Sequence, residues 1–181
     1  MLIMHFTTIA LFLGLTASSL AAPVTQPSKR AVLTKQSYAD FQISDGVGGD
    51  ALNEVNQKFP VANMDPAQVT DEDQEIISNA REVAEDAETG TGGFNEQIEA
   101  AGEDTDAGKA LQVGKIKNKV LKLQLEILDL QLKQAKGDGD QTAKIAEEQT
   151  KLQSNIDQDK EAAGQKSTSV ADTFQESATE D

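Results

Sequence analysis

The stretch KALQVGKIKNKVLKLQLEILDLQLKQAK, residues 109–136, decides the fold of this chain. Apolar residues recur in it at alternating spacings of three and four, which is the a/d pattern of a helix with an apolar stripe. This stripe consists of Val113, Ile116, Val120, Leu123, Ile127 and Leu130. A second stripe runs beside it and consists of Leu121, Leu125, Leu128 and Leu132. Two stripes form a wide apolar face, which predicts a long central helix inside a bundle rather than a two-stranded coiled coil.

The composition indicates what surrounds this helix. The chain has 181 residues, six Phe, no Cys, no Trp and a net charge of −15. Its core must be built from Leu, Ile, Val and Ala, which favours helices over a β-sandwich. We therefore predict one all-α, Cys-free helical bundle of about six helices. The acidic balance argues against nucleic acid as a partner, because phosphates recruit Lys and Arg.

Residues 1–21 are typical of a secretory signal peptide. An apolar stretch at residues 9–15 is followed by small residues, and Ser19 and Ala21 suit signal peptidase. Cleavage after Ala21 is favoured, because cleavage after Ala22 would leave Pro23 directly behind the cut. An anchored helix is the weaker alternative, since the apolar run is short and no basic flank follows. We expect no membrane span after removal of this segment.

Residues 22–30, APVTQPSKR, end in the dibasic pair Lys29-Arg30. Such a pair after a signal peptide indicates a propeptide cut by a subtilisin-like endoprotease of the Golgi, although a linker with two basic residues is the alternative. Cleavage after Arg30 would change the net charge from −15 to −17, because no acidic residue precedes position 31.

Helical patterns then organise residues 31–165 into one domain. Besides 109–136, helices are predicted at about 34–43, 50–59, 71–88, 94–101 and 141–163. Predicted N-terminal caps are Asp50, Asp65 before Pro66, a capping box from Thr70 to Asp73, and Thr105 or Asp106. The turn GDGD, residues 137–140, predicts a C-terminal antiparallel helical hairpin. Residues 166–181 are polar, and a flexible acidic tail is predicted there.

The residue types exclude most catalytic chemistry. The single His is His5, inside the signal peptide, and there is no Cys, so Ser-His-Asp and Cys-His catalysis and His- or Cys-based metal sites are excluded. Carboxylate-only chemistry, as in glycosidases, remains formally open, but sugar platforms are scarce with one Tyr and no Trp. EF-hand registers that start at Asp71 or Asp138 lack the required Gly. We predict no catalytic residues, no metal and no cofactor.

Lys115, Lys119 and Lys122 lie on one face of the central helix and form a possible surface patch. A basic patch for an anionic surface is one interpretation. Intramolecular pairing is the preferred one, in which Lys115 and Lys119 approach Asp157, Asp159 and Glu161 across the helical hairpin.

Several segments resemble a family of small secreted proteins of filamentous fungi. They are FQISDGVGGDAL (41–52), VNQKFP (55–60), GKIKNKVLKLQLEILDLQL (114–132), AEEQTKLQSNID (146–157) and AAGQ (162–165). The resemblance implies a conidial cell-wall or culture-filtrate protein that masks the spore surface or acts in virulence. It brings no catalytic residues.

Three functions are therefore open. The first is a non-catalytic secreted protein bound to a component of the cell wall or extracellular surface. The second is a carrier of a lipid or small hydrophobic ligand, with the wide apolar face of the central helix lining a cavity. The third is an effector that binds a host protein through the lysine face or the tail.

Overall fold

A computed structural model describes residues 30–176 of the chain. The predicted signal peptide 1–21, with its cleavage after Ala21, lies outside these residues, as does the propeptide up to Lys29. Arg30, the last residue of the predicted propeptide, is exposed.

Residues 30–176 contain six α-helical segments and one two-stranded antiparallel sheet. The helices are α1 (Tyr38–Phe41), α2 (Ala51–Lys58), α3 (Asp71–Thr89), α4 (Phe94–Ala101), α5 (Asp106–Lys136) and α6 (Thr142–Glu161). The strands are β1 (Gly46–Val47) and β2 (Lys166–Ser167), and 3-10 turns occupy Pro60–Asn63 and Pro66–Gln68. The predicted all-α bundle with a long central helix is confirmed.

Helix α5 is the centre of the bundle, and α2, α3, α4 and α6 all pack against it. Thr105 begins it, because its hydroxyl accepts the Gly108 N–H at 3.0 Å. Gly137 ends it in the left-handed conformation, with φ of 90°. Both apolar stripes pack in the core except at Ile116, which is half-buried, and Val120 and Leu125 are fully buried.

Helix α6 returns along α5, as the short connection predicts. Lys144 in its first turn forms an ion pair with Glu126 in the C-terminal half of α5, at 2.8 Å. Leu152 is buried against the core from the middle of α6. The other face of α6 is exposed and polar.

The start of the described chain is less helical than predicted. Only Tyr38–Phe41 is α-helical in the predicted 34–43 segment. Just before this segment, the N–H groups of Val32 and Leu33 donate to the Asp73 carboxylate of α3. The chain is therefore tied to α3 directly before the predicted helix begins.

The prediction of a flexible tail is wrong for residues 166–176. Strand β2 pairs with β1, and the Thr168 N–H donates to the Ala110 carbonyl oxygen at 3.0 Å. Val170 is 1% exposed, and Phe174 contacts the ring of Tyr38 edge to face. Backbone pairing and two apolar side chains thus fix a segment whose composition is otherwise polar. Residues 177–181 lie outside the described part of the chain.

Candidate functional site

The predicted lysine patch pairs with an acid of α3, not with α6. The ammonium groups of Lys115, Lys119 and Lys122 lie 3.5, 3.4 and 3.6 Å from the carboxylate of Glu88. The expected partners on α6 were wrong because α3 is the helix that packs beside this face of α5. The patch is therefore an intramolecular cluster around a largely buried carboxylate.

Two polar residues of α5, Lys117 and Asn118, are fully buried. The Lys117 ammonium donates to the carbonyl oxygens of Asp45 and Val47 at 2.9 and 3.1 Å, and it pairs with Glu54 at 2.9 Å. All three ammonium protons have acceptors. Lys117 consequently anchors the loop around β1 and offers no free amine for catalysis.

Asn118 belongs to a buried chain of hydrogen bonds. It accepts from the Tyr38 hydroxyl at 3.0 Å and donates to the Ala84 carbonyl oxygen at 2.7 Å. The pKa of Tyr38 is raised, chiefly because burial disfavours the phenolate. This tyrosine stays a neutral donor and joins α1, α5 and α3.

A pocket of about 210 Å³ lies between the N-terminal segment, the end of α2 and the outer face of α3. We call it the N-terminal pocket. Its apolar floor and walls are formed by Leu33, Phe41, Phe59, Pro60, Ile76, Ala80 and Val83, with Val32 at the edge. Its polar rim is formed by Thr34, Lys35, Gln36, Gln57, Lys58, Asn79 and Glu176.

Helix α3 forms one wall because it has two apolar faces. Ile77, Ala84 and Ala87 are fully buried in the core. Ile76 and Val83 are half-buried and line the pocket, on either side of Ala80. The helix thus covers the core with one face and offers a second apolar stripe to a ligand.

The opposite wall is held in place by Asp73, which is fully buried. One of its carboxylate oxygens accepts the N–H groups of Val32 and Leu33 at 2.7 and 2.8 Å. The other accepts the N–H and the hydroxyl of Thr70 at 3.1 and 2.7 Å. The predicted capping box is confirmed, and the same carboxylate also holds Val32 and Leu33, which line the pocket.

The rim carries two lysines and one glutamate. The Lys58 ammonium donates to the Asp40 carbonyl oxygen at 2.6 Å, and Lys58 forms no ion pair with any carboxylate in residues 30–176. The Glu176 carboxylate accepts the Tyr38 N–H at 3.0 Å, at the first residue of α1. Gln57 and Asn79 add neutral amides.

Other cavities in the described residues are less suited to a ligand. A gap beside Leu128 and Leu132 of α5 has a volume of only about 30 Å³. The remaining depressions are shallow and mostly polar. Within residues 30–176, no group of three or more acidic or histidine side chains is placed to hold a metal ion, and no helix is long and apolar enough to cross a membrane.

The sequence indicates the α3 wall of this pocket but not the wall that faces it. The apolar residues of α3 already form a face too wide for one neighbour. Leu33 and Phe59 are far from α3 in sequence, and nothing local indicates that they face it. Asp73 was assigned to a helix cap, and its long-range role was missed.

Residues 33–171 match the family model described as Domain of unknown function (DUF8454). No curated protein and no solved structure matches the chain.

Proposed function

We propose that this chain, which belongs to the DUF8454 family, is a non-catalytic secreted protein that binds a small apolar ligand in the N-terminal pocket. The observation that carries this proposal is the pocket's apolar interior of about 210 Å³, which opens to solvent through a polar rim. Ligand sites generally combine such an interior with a few polar groups that fix orientation.

The volume limits the ligand to a small molecule or one end of a larger one. An engineered apolar cavity of about 150 Å³ holds benzene, and sites for drug-sized molecules start at about 300 Å³. The buried part should therefore contain roughly eight to ten non-hydrogen atoms. Burial of apolar surface supplies the affinity, at about 25 cal/mol per Å² before the costs of binding.

This proposal keeps the carrier hypothesis but moves its site. The sequence suggested a cavity along α5, whose stripes instead pack in the core. The apolar lining comes from the N-terminal segment, α2 and α3. An effector that binds a host protein through the lysine face has less support, because all three lysines already pair with Glu88 within the chain.

We place this binding at the fungal cell wall or spore surface, where the protein would mask the surface or aid virulence. The support is the N-terminal sequence, the resemblance to secreted fungal proteins and the acidic composition. Localisation of the tagged protein across spore and hyphal stages tests this setting. Recovery from culture medium alone, with none in spore-surface extracts, would argue against the wall.

The binding proposal is tested by the thermal shift that octan-1-ol produces. A ligand that binds only the folded state raises the melting temperature as its concentration increases. In Val83→Phe, the ring should fill the pocket and remove the shift. Ile145→Phe is the matched control, because Ile145 is also half-buried but lies on α6, away from the pocket. No shift in the wild type, or equal shifts in both variants, would contradict the proposal.

A further inference from the structure

The rim of the N-terminal pocket differs in charge from the protein as a whole. The chain has 31 acidic and 16 basic residues, so most of its surface repels anions. Lys35 and Lys58 line the pocket, and Glu176 is its single acidic residue. The apolar interior is therefore reached past a rim on which basic residues outnumber acidic ones.

Lys58 is the residue best placed to bind an anion. It is exposed at the last turn of α2, and its ammonium is held at 2.6 Å from the Asp40 carbonyl oxygen. An ammonium has three donor protons, so this bond leaves two for a ligand. By contrast, Lys115 and Lys133 are each paired with a carboxylate.

The acid at the rim does not compete for Lys58. One Glu176 oxygen accepts the Tyr38 N–H, and no ion pair joins Glu176 to Lys58 in the described residues. Gln57 and Asn79 can donate further hydrogen bonds without adding charge.

We propose that the pocket binds an aliphatic chain that ends in an anionic group, with the chain on Leu33, Phe59 and Val83 and the anion at Lys58. The inference rests on the proposed function and names the class of ligand. A carboxylate and a phosphate share this chemistry, and either headgroup can accept the two ammonium protons of Lys58 that are not bound by Asp40.

The structural alternative is that Lys58 only completes the end of α2. A basic residue there interacts favourably with the helix dipole, and the bond to Asp40 joins α1 to α2. If this is the only role of Lys58, its replacement should change the stability of the fold, and the pocket should show no preference among ligand headgroups. Measurement of both properties distinguishes the two roles.

The experiment compares four ligands with equal alkyl chains: octanoate, octyl phosphate, octan-1-ol and octylammonium. Each is titrated into the full chain by calorimetry. We expect at least one anion to bind about three- to fivefold more tightly than the alcohol, the size expected of a partly exposed charge pair. Octylammonium should bind more weakly than the alcohol, and 0.5 M salt should reduce the anion's advantage. The anion that binds more tightly identifies the headgroup.

Three variants test the residue. Lys58→Gln should remove the anion's advantage, measured as the ratio of the Kd of octan-1-ol to that of the anion in the same variant. Lys58→Arg should retain it. Lys160→Gln is the control, because it removes an exposed lysine of α6 with the same change in net charge.

The outcomes separate the two proposals. If all four ligands fail to bind, the proposed function and this inference both fall. If the alcohol binds as tightly as both anions, or Lys58→Gln keeps the anion's advantage, the pocket remains a ligand site but the inference is overturned.

Discussion

Asp159 in the last turn of α6 accepts the backbone N–H of Ala51, the first residue of α2, at 2.9 Å. Its second oxygen accepts the Gly49 N–H, also at 2.9 Å. Asp50, the predicted cap of this helix, makes no side-chain capping bond. A helix start is thus satisfied by a carboxylate more than one hundred residues away along the chain.

Asp159→Ala should destabilise the protein by about 2–3 kcal/mol, because it leaves two N–H groups without their acceptor at a mostly buried helix start. Urea denaturation followed by circular dichroism measures this change. Asp157→Ala is the control, since Asp157 is exposed and should change stability by about 0.5 kcal/mol or less. Equal effects of the two variants would show that the cap is unimportant.

Asp73→Asn should reduce stability at neutral pH and flatten its dependence on acid. Burial alone would raise the pKa of Asp73, but hydrogen bonds from Leu33, Thr70 and Val32 outweigh burial and lower it below 3.8. A carboxyl with a lowered folded-state pKa contributes stability that is complete above its unfolded pKa and is lost as pH falls through the folded value. The wild type should therefore lose more stability than the variant below about pH 4.

We expect a loss of about 2–3 kcal/mol for Asp73→Asn at pH 7, since an amide places a donor against buried donors. Urea denaturation at several pH values measures both effects. Glu72→Gln is the control, because Glu72 is exposed in the same first turn of α3. Parallel pH profiles for the wild type and Asp73→Asn would contradict the assigned role of this carboxylate.

Gly114→Ala should destabilise the fold, although the same change in an exposed helix interior is usually stabilising by about 1 kcal/mol. A Cβ at this position would lie 2.1 Å from the Thr168 carbonyl oxygen and 3.1 Å from the Phe94 ring. The segment after β2 must move to accept it, so we expect a loss of about 2–4 kcal/mol. Removal of residues 166–181 should abolish most of the difference between Gly and Ala. A stabilising Gly114→Ala in the full chain would show that this segment is loosely held.

Secreted protein should begin at Ala31, which N-terminal sequencing measures directly. The prediction rests on Lys29-Arg30, of which the exposed Arg30 lies directly before the segment anchored at Asp73. Lys29→Ala with Arg30→Ala should retain residues 22–30 and raise the mass accordingly. A wild-type start at Ala22 would refute propeptide cleavage.

Helical periodicity was sufficient to predict most of the bundle. The bounds of α4 agree with the prediction, and those of α2, α3 and α6 differ from it by no more than about two residues at each end. The capping box at Thr70 was also predicted correctly. These features depend on neighbours three or four residues apart, so the local sequence contains the information.

Features that depend on distant pairs could not be predicted in this way. The partner of Lys115 was placed on α6 because α6 follows α5 in sequence, whereas Glu88 of α3 lies beside it. The segment containing Val170 has too few apolar residues to indicate packing, and only the close approach to Gly114 reveals its place. The N-terminal pocket likewise requires knowledge that Leu33 and Val83 face each other.

The sequence by itself determined the class of fold, the central helix, the helix starts with local caps and the absence of Cys- or His-based chemistry in the predicted mature chain. Composition and periodicity fix these properties because each follows from residue type and short-range spacing. Tertiary structure decided which carboxylate caps α2, which acid pairs with the three lysines and where an apolar pocket opens. These depend on how helices with more than one apolar face are arranged around α5, and several arrangements satisfy the same pattern of residues.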